Sequence, residues 1–302
     1  MNLITRSDFD GLACAAILKD IGIISTYKFI HPKDLQDGVV TVTSNDVLAN
    51  VPYVEGCGMW FDHHASEEVR LGNLDFTFTG AVQFLDSAAH VIYDYYKDKY
   101  DLSKFNEMLD AVDKVDSAKL SIDEILYPKD WIMLGYIMDP RTGLGRFREY
   151  RISNYQLMEK LIDLCRTQEI RLILQDPDVL ERIDVYNEHF SMFVEMVRKH
   201  SYVKGNVIVS DMRGVDTIFA GNRFAVYALF PNQNISMWIV DGREKKNCSI
   251  AVGHSIINRG SKVNVAPILL SYGGGGHCQV GTCQVPYEDC DKVVAELIEK
   301  LQ

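Results

Sequence analysis

The stretch Met59-Trp60-Phe61-Asp62-His63-His64 constrains this chain more than any other. A short apolar run leads straight into a carboxylate and two imidazoles, three hard or borderline metal ligands in a row. Such groups are costly beside a core unless something cationic holds them. The segment therefore reads as a buried strand whose C-terminal end opens on a cation site. In open parallel α/β sheets, ligands bind in the crevice outside the strand ends. Other strands should then deliver matching groups to the same edge.

Residues 3–5 read as a first strand, followed by the turn Arg6-Ser7-Asp8-Phe9-Asp10-Gly11 and a small-residue helix. In an extended segment, residues i and i+2 share a side, so Asp8 and Asp10 face together. Two carboxylates that close repel unless a cation lies between them. A helix N-cap accounts for one aspartate but not for both. Gly11 permits close backbone approach where the helix begins. Residues 26–31 predict a second strand. The β-branched residues 39–43 predict a third, ending at Ser44-Asn45-Asp46. Alone, Asp46 reads as a turn residue; in line with the other strand ends, it reads as a ligand.

Residues 80–96 predict a helix with Ala81, Phe84, Leu85, Ala88 and Ile92 on one side. In the next predicted helix, residues 104–119, about 100° per residue aligns Phe105, Met108, Leu109, Val112 and Val115. Asp116 falls inside that stripe, where an aspartate needs a partner or a metal. Asp113 at the stripe's edge and Asp110 on the opposite face read as solvated.

The stretch Asp139-Pro140-Arg141-Thr142-Gly143-Leu144-Gly145-Arg146-Phe147-Arg148 is basic and bendable. Guanidinium forks suit phosphate, which makes Arg141 a substrate contact; a solvated loop is the other reading. Residues 154–199 read as amphipathic helices interrupted by Asp176-Pro177, with the Phe and Met of residues 187–197 packing between domains. Beyond them come strand-like runs at residues 207–209, 224–228, 235–240, 248–252 and 268–270, then Tyr272-Gly273-Gly274-Gly275-Gly276-His277. Four glycines free the backbone to aim N–H groups at an anion; a hinge is the plainer alternative. A closing amphipathic helix spans residues 287–301. His277, Cys278 and Cys283 are too irregularly spaced for a zinc site.

The fold class is therefore α/β. An N-terminal parallel sheet has helices on both faces (residues 1–175), a helical linker follows (176–204), and a smaller mixed-sheet domain closes the chain (205–302). A net charge of -11 argues against long duplex DNA, while a small phosphorylated substrate can be held locally by a few arginines and metal ions. Seven cysteines without a C-x-x-C pair read as reduced thiols of a cytoplasmic protein. No apolar run of ~20 residues predicts a membrane span. Asp8, Asp10 and Asp20 within the first apolar stretch do not suit a signal peptide.

Taken in order, Asp8-Phe9-Asp10, Asp46, Asp62-His63-His64 and Asp116-Ser117 resemble the four motifs of the DHH phosphoesterase superfamily. The Gly-Gly-Gly-Gly-His run resembles the signature of the first type of DHH-associated C-terminal domain, as in the nanoRNase and exopolyphosphatase-like branch. The resemblance implies a hydrolase with two manganese ions, magnesium or cobalt being substitutes. Asp8, Asp10, Asp46, His63 and Asp116 would be the ligands. Asp62 would orient a ligating histidine, and His64 would place substrate or protonate the leaving oxygen. Arg259, Gly274, Gly275, Gly276 and His277 would clamp substrate from the second domain across an interdomain cleft. The substrate would be a short oligonucleotide or small nucleotide. Polyphosphate hydrolysis and a non-catalytic nucleotide sensor are the alternatives, and a homodimer stays open. Many relatives carry a histidine four residues before the first aspartate; this chain has Ile4 there and Arg6 beside the motif. One metal position is then the weaker, or is completed by water or substrate. Where such C-terminal domains carry an Arg-Ser pair, this chain has His254-Ser255, with Arg259 nearby to compensate. After the glycines, Val280-Gly281-Thr282 stands in place of the usual Ala-Gly pair.

Overall fold

A computed structural model describes residues 1–72, 76–147 and 149–302. Arg148, the last residue of the predicted basic loop, lies outside them. The chain divides into two compact units. Residues 1–119, 128–140 and 144–184 form the first, and residues 120–127, 141–143 and 185–302 the second.

The first unit is built on a parallel sheet of β1 (Asn2–Arg6), β2 (Thr26–Ile30), β3 (Asp46–Ala49), β4 (Met59–Asp62) and β5 (Gly80–Val82), in the order β2-β1-β3-β4-β5. The order reverses at β1, so the crevice beyond the C-terminal ends of β1 and β3 is the place where such sheets hold ligands. The strands are short and apolar because both faces are covered. Trp60 and Phe61 show this, since adjacent strand residues point to opposite faces. Trp60 packs with Tyr53 and Phe78 on one side, its indole donating to Val51 O. Phe61 meets Tyr95 and Tyr96 on the other. Full burial of a ring of that size contributes about 1.5–3 kcal/mol.

The helices of this unit are α1 (Phe9–Asp20), α2 (Pro32–Gln36), α3 (Ala65–Leu71), α4 (Ala88–Tyr96) and α5 (Asn106–Asp116). After α6 (Ile122–Leu126) of the second unit come α7 (Asp130–Met138), α8 (Asn154–Thr167) and α9 (Ile170–Ile173). Residues 9–18 of α1 are buried on every side, as expected of a helix apolar all round. Gly11 is obligatory in its first turn, because a Cβ there would run into Arg6 O of β1.

Two strand or helix expectations in this unit are corrected. Residues 39–43 are not a strand, and Val39 is 73% exposed. The Thr43 amide and hydroxyl both donate to Asp46 Oδ2 at 2.7 Å, closing a turn that starts β3 at Asp46. The fully buried run that follows, rather than β-propensity, decides the strand. Residues 80–96 are not one helix. Gly80–Val82 pairs with β4, and α4 starts only after Ser87 caps it by accepting from His90 N.

Helix α10 (Pro177–Lys199) runs from the first unit into the second. There, β6 (Ser201–Lys204), β7 (Val207–Asp211), β8 (Ile235–Asp241), β9 (Asn247–His254), β10 (Gly275–Gly276) and β11 (Val280–Pro286) form a mixed sheet in the order β10-β11-β9-β8-β7-β6. The β7–β8 pair is parallel and the others antiparallel. Alternate residues such as Ile235, Met237 and Ile239 are buried with residues of α12 (Val265–Leu270) and α13 (Cys290–Lys300). Two further expectations fail here. Residues 225–228 fall in α11 (Ala225–Leu229) with Phe224 as its N-cap, and residues 268–270 end α12, so both apolar runs are helical. Among the described residues, no helix is long and apolar enough to cross a membrane.

Candidate metal centre

The C-terminal ends of β1 and β4, the start of α1 and the end of α5 bring Asp8, Asp10, Asp62, His63, His64 and Asp116 to one edge of the first unit's sheet. Asp10 is almost fully buried in the first turn of α1. It accepts from Ala88 N at 3.0 Å and Ala89 N at 2.8 Å. These are unpaired amides at the start of α4, where the helix dipole favours an anion. Burial, and then the charge of Asp8, nevertheless push its carboxyl up to about 7.

His63 supplies the decisive geometry. Its Nδ1 lies 3.2 Å from Leu85 O, and a carbonyl can only accept, so Nδ1 carries the proton. In the neutral ring, Nε2 is then a bare lone pair. It is buried, with no hydrogen-bond partner. It stands 3.3 Å from Asp116 Oδ2 and 3.8 Å from Asp10 Oδ2. A lone pair facing two carboxylates is repulsive with nothing between them. Ligands about 2.1 Å from a divalent ion stand roughly 3–3.5 Å from one another, so this nitrogen and these oxygens fit a shared cation. Asp116 closes α5 with about a third of its side chain still open. Burial, followed by the charges of Asp10 and Asp8, pushes its carboxyl up to about 7 as well.

Asp62, buried at the end of β4, holds His64 rather than His63, with Oδ1 2.8 Å from His64 Nδ1. Burial alone would lower the His64 pKa. The hydrogen bond and charge of Asp62, with Asp116 and Asp10 behind it, outweigh burial and raise it to about 9.

Asp8 is the N-cap of α1. Its Oδ1 accepts from Gly11 N at 2.9 Å and from Asn50 Nδ2 at 3.0 Å, and its Oδ2 pairs with Arg6 Nε at 3.0 Å.

Asp46 is not at this centre, which corrects the sequence reading. It starts β3, level with Asn2, and takes Asn2 Nδ2 at 2.8 Å. That is the opposite end of the strand, roughly 13 Å of extended chain from the edge that carries Asp10 and His63. The residue that β3 delivers there is Asn50, buried and in the left-handed region at φ 56°, which Asn tolerates better than most residues. The buried run Val47-Leu48-Ala49 was the signal that could have located it. Asp113 is also not solvated. It takes the Ser87 hydroxyl at 2.6 Å and pairs with His90 Nδ1, bracing the start of α4 that holds Asp10. Ile4, where a histidine was expected, is buried with Leu48 and Trp60.

The remaining predicted residues, Arg141, Arg259 and residues 274–277, belong to the second unit. Arg259 and His277 are exposed, and Arg259 Nε donates to Ile256 O. The glycine run is not a free nest. Gly273 N and Gly274 N donate to Leu270 O and Leu269 O, ending α12 with Gly273 at φ 73°. Gly275 and Gly276 form β10 against β11. A Cβ on Gly274 or Gly276 would strike the β11 backbone, whereas Gly275 faces open space. His254 is turned to Val263 O.

No protein-family model matches the sequence, and a search of curated proteins gives no match. Among solved structures, the chain is similar to the pGpG-specific phosphodiesterase PggH of Vibrio cholerae, with 42% identity, 99% of this chain and 98% of that chain covered, and a TM-score of 0.90. It shares a fold with RecJ of Thermus thermophilus in complex with Mn2+, at 12% identity, 99% and 51% coverage and a TM-score of 0.52. It also shares a fold with CDC45 of Entamoeba histolytica, at 9% identity, 99% and 95% coverage and a TM-score of 0.51.

Proposed function

Because the chain belongs to the DHH phosphoesterase superfamily, we propose that it is a divalent-metal-dependent phosphodiesterase acting on short oligonucleotides, with a 5′-phosphorylated dinucleotide of the pGpG kind as its preferred substrate. One observation carries the metal part of this reading: the partnerless Nε2 of His63 faces Asp10 and Asp116. The likeness to PggH over nearly the whole of both chains supports the substrate class.

Asp10, His63 and Asp116 would hold the ion, and this mixed oxygen and nitrogen set suits manganese, with magnesium or cobalt as substitutes. A bound ion supplies Lewis acidity toward a phosphoryl oxygen and makes water a better nucleophile. The protein's own part is positioning. The α4 amides fix Asp10, and Leu85 O fixes the ring and tautomer of His63, the usual work of groups behind a metal ligand. Asp62 holds His64 through Nδ1, leaving Nε2 to donate to a phosphate oxygen or to pass a proton to the leaving oxygen. Arg141, Arg259 and His277 are the residues we propose for contact with the substrate's remaining phosphate or base.

The test is product analysis with purified protein, manganese and three substrates: pGpG, a longer oligonucleotide and polyphosphate. Mononucleotide released fastest from pGpG supports the reading. Phosphate released from polyphosphate alone would replace it with phosphoanhydride hydrolysis. Nucleotide binding without turnover would make the protein a sensor.

A further inference from the structure

We infer that the centre works with one divalent ion, and that the Arg6 guanidinium stands against Asp8 in place of a second. This rests on the metal reading above and fixes its stoichiometry. To ligate a second ion, Asp8 needs further ligands facing it and a charge that is not already balanced. Its Oδ1 already takes two N–H donors, Gly11 N and Asn50 Nδ2, and its Oδ2 takes Arg6 Nε. Asn50 turns its amide nitrogen, a donor, toward Asp8, and a neutral amide adds no negative charge to draw a cation. Ile4 offers no ligand atom and is packed in the core. Among the described residues, two groups of candidate ligands lie close enough to share an ion, Asp10-His63-Asp116 and Asp62-His63-His64, and neither contains Asp8.

Charge leads to the same conclusion. One dication balances Asp10 and Asp116, and Arg6 balances Asp8. A second dication would have to displace the guanidinium and reverse the Asn50 amide. Arg6 is itself 42% exposed. It meets Asp8 through Nε, so its two Nη groups can take phosphoryl oxygens as a planar fork. A fixed cation of the chain then supplies charge that an exchangeable ion supplies in a two-metal site.

The experiment is metal content after chelation, reloading with manganese and desalting, combined with electron paramagnetic resonance of the loaded protein. One manganese per chain with the signal of an isolated ion supports the inference. Two per chain with an exchange-coupled signal overturns it and leaves the proposed phosphodiesterase standing. No retained manganese overturns both. The double variant R6A/N50D, its fold checked by circular dichroism, should take a second ion at millimolar manganese. If it still takes one, Arg6 and Asn50 are not what excludes the second ion, and the inference fails. Arg6→Ala alone should lower kcat/KM on pGpG at least 10-fold with manganese content unchanged. Full retention of kcat/KM would overturn the charge role.

Discussion

His63 Nε2 lies 3.3 Å from Asp116 Oδ2 while the opposite ring nitrogen is committed to Leu85 O. A ring fixed on one side and bare on the other, beside a carboxylate, is the arrangement behind the proposal that His63 holds a metal ion. His63→Ala and Asp116→Asn should each weaken manganese binding by more than roughly 100-fold, since even groups behind a ligand matter by 10–100-fold. Isothermal titration of chelated protein reads this. Wild-type affinity in either variant would remove that residue from the centre.

Asp46 and Asn50 should behave in opposite ways. Asp46→Ala removes the acceptor of Asn2 and Thr43 at the far end of β3. It should cost about 1–3 kcal/mol of stability and leave kcat within roughly threefold of wild type. Asn50→Ala, at the active edge, should lower kcat at least tenfold, a loss of about 1.4 kcal/mol in transition-state stabilisation. Urea melts and steady-state rates on the same two proteins separate the effects.

These two residues also show how far the sequence could be read. The parallel sheet and the strand ending in Asp62-His63-His64 were legible, because each rests on an apolar run, whereas Asp116, expected on the buried stripe of α5, is exposed at the end of that helix. The position of Asp46 was not. Residues 39–43 have the β-branched composition of a strand, yet the turn from Thr43 to Asp46 and the burial of Val47-Leu48-Ala49 put the strand later. A shift of that kind carries a different residue to the strand end. Asp113 was misread for a related reason. A helical wheel shows which side of a helix a residue is on, but not that the start of another helix sits against that side. The glycine run was recognisable as a special backbone, but its role in ending α12 depends on α12 being a helix rather than a strand.

Asp62→Asn tests the division of labour between the two histidines. Asp62 holds His64, and His63 is held elsewhere. Manganese affinity should therefore stay within roughly threefold of wild type while kcat on pGpG falls 10-fold or more, in the range of a lost acid–base contribution. Loss of manganese binding of the same size as in His63→Ala would show that the two histidines act as one unit.

The Asp113–His90 pair makes part of the stability depend on pH. The hydrogen bond to Asp113 raises the His90 pKa above its ordinary 6.5, against burial, with the charges of Asp113, Asp94 and Asp86 adding to it. A folded-state pKa above the unfolded one stabilises fully below about 6.5, and the contribution fades as pH rises through the folded value. Asp113→Asn should therefore lower Tm more at pH 6 than at pH 9. Equal shifts at the two pH values would mean that the bond to Ser87, rather than the ion pair, carries the effect.

The central claim is that Asp10, His63 and Asp116 enclose one ion. Crystals of the protein loaded with manganese, measured at the manganese absorption edge, test it most directly. The account predicts one anomalous peak within coordinating distance of Asp10 Oδ2, His63 Nε2 and Asp116 Oδ2. A map with no peak there, or with its peak between Asp62 and His64, would contradict it.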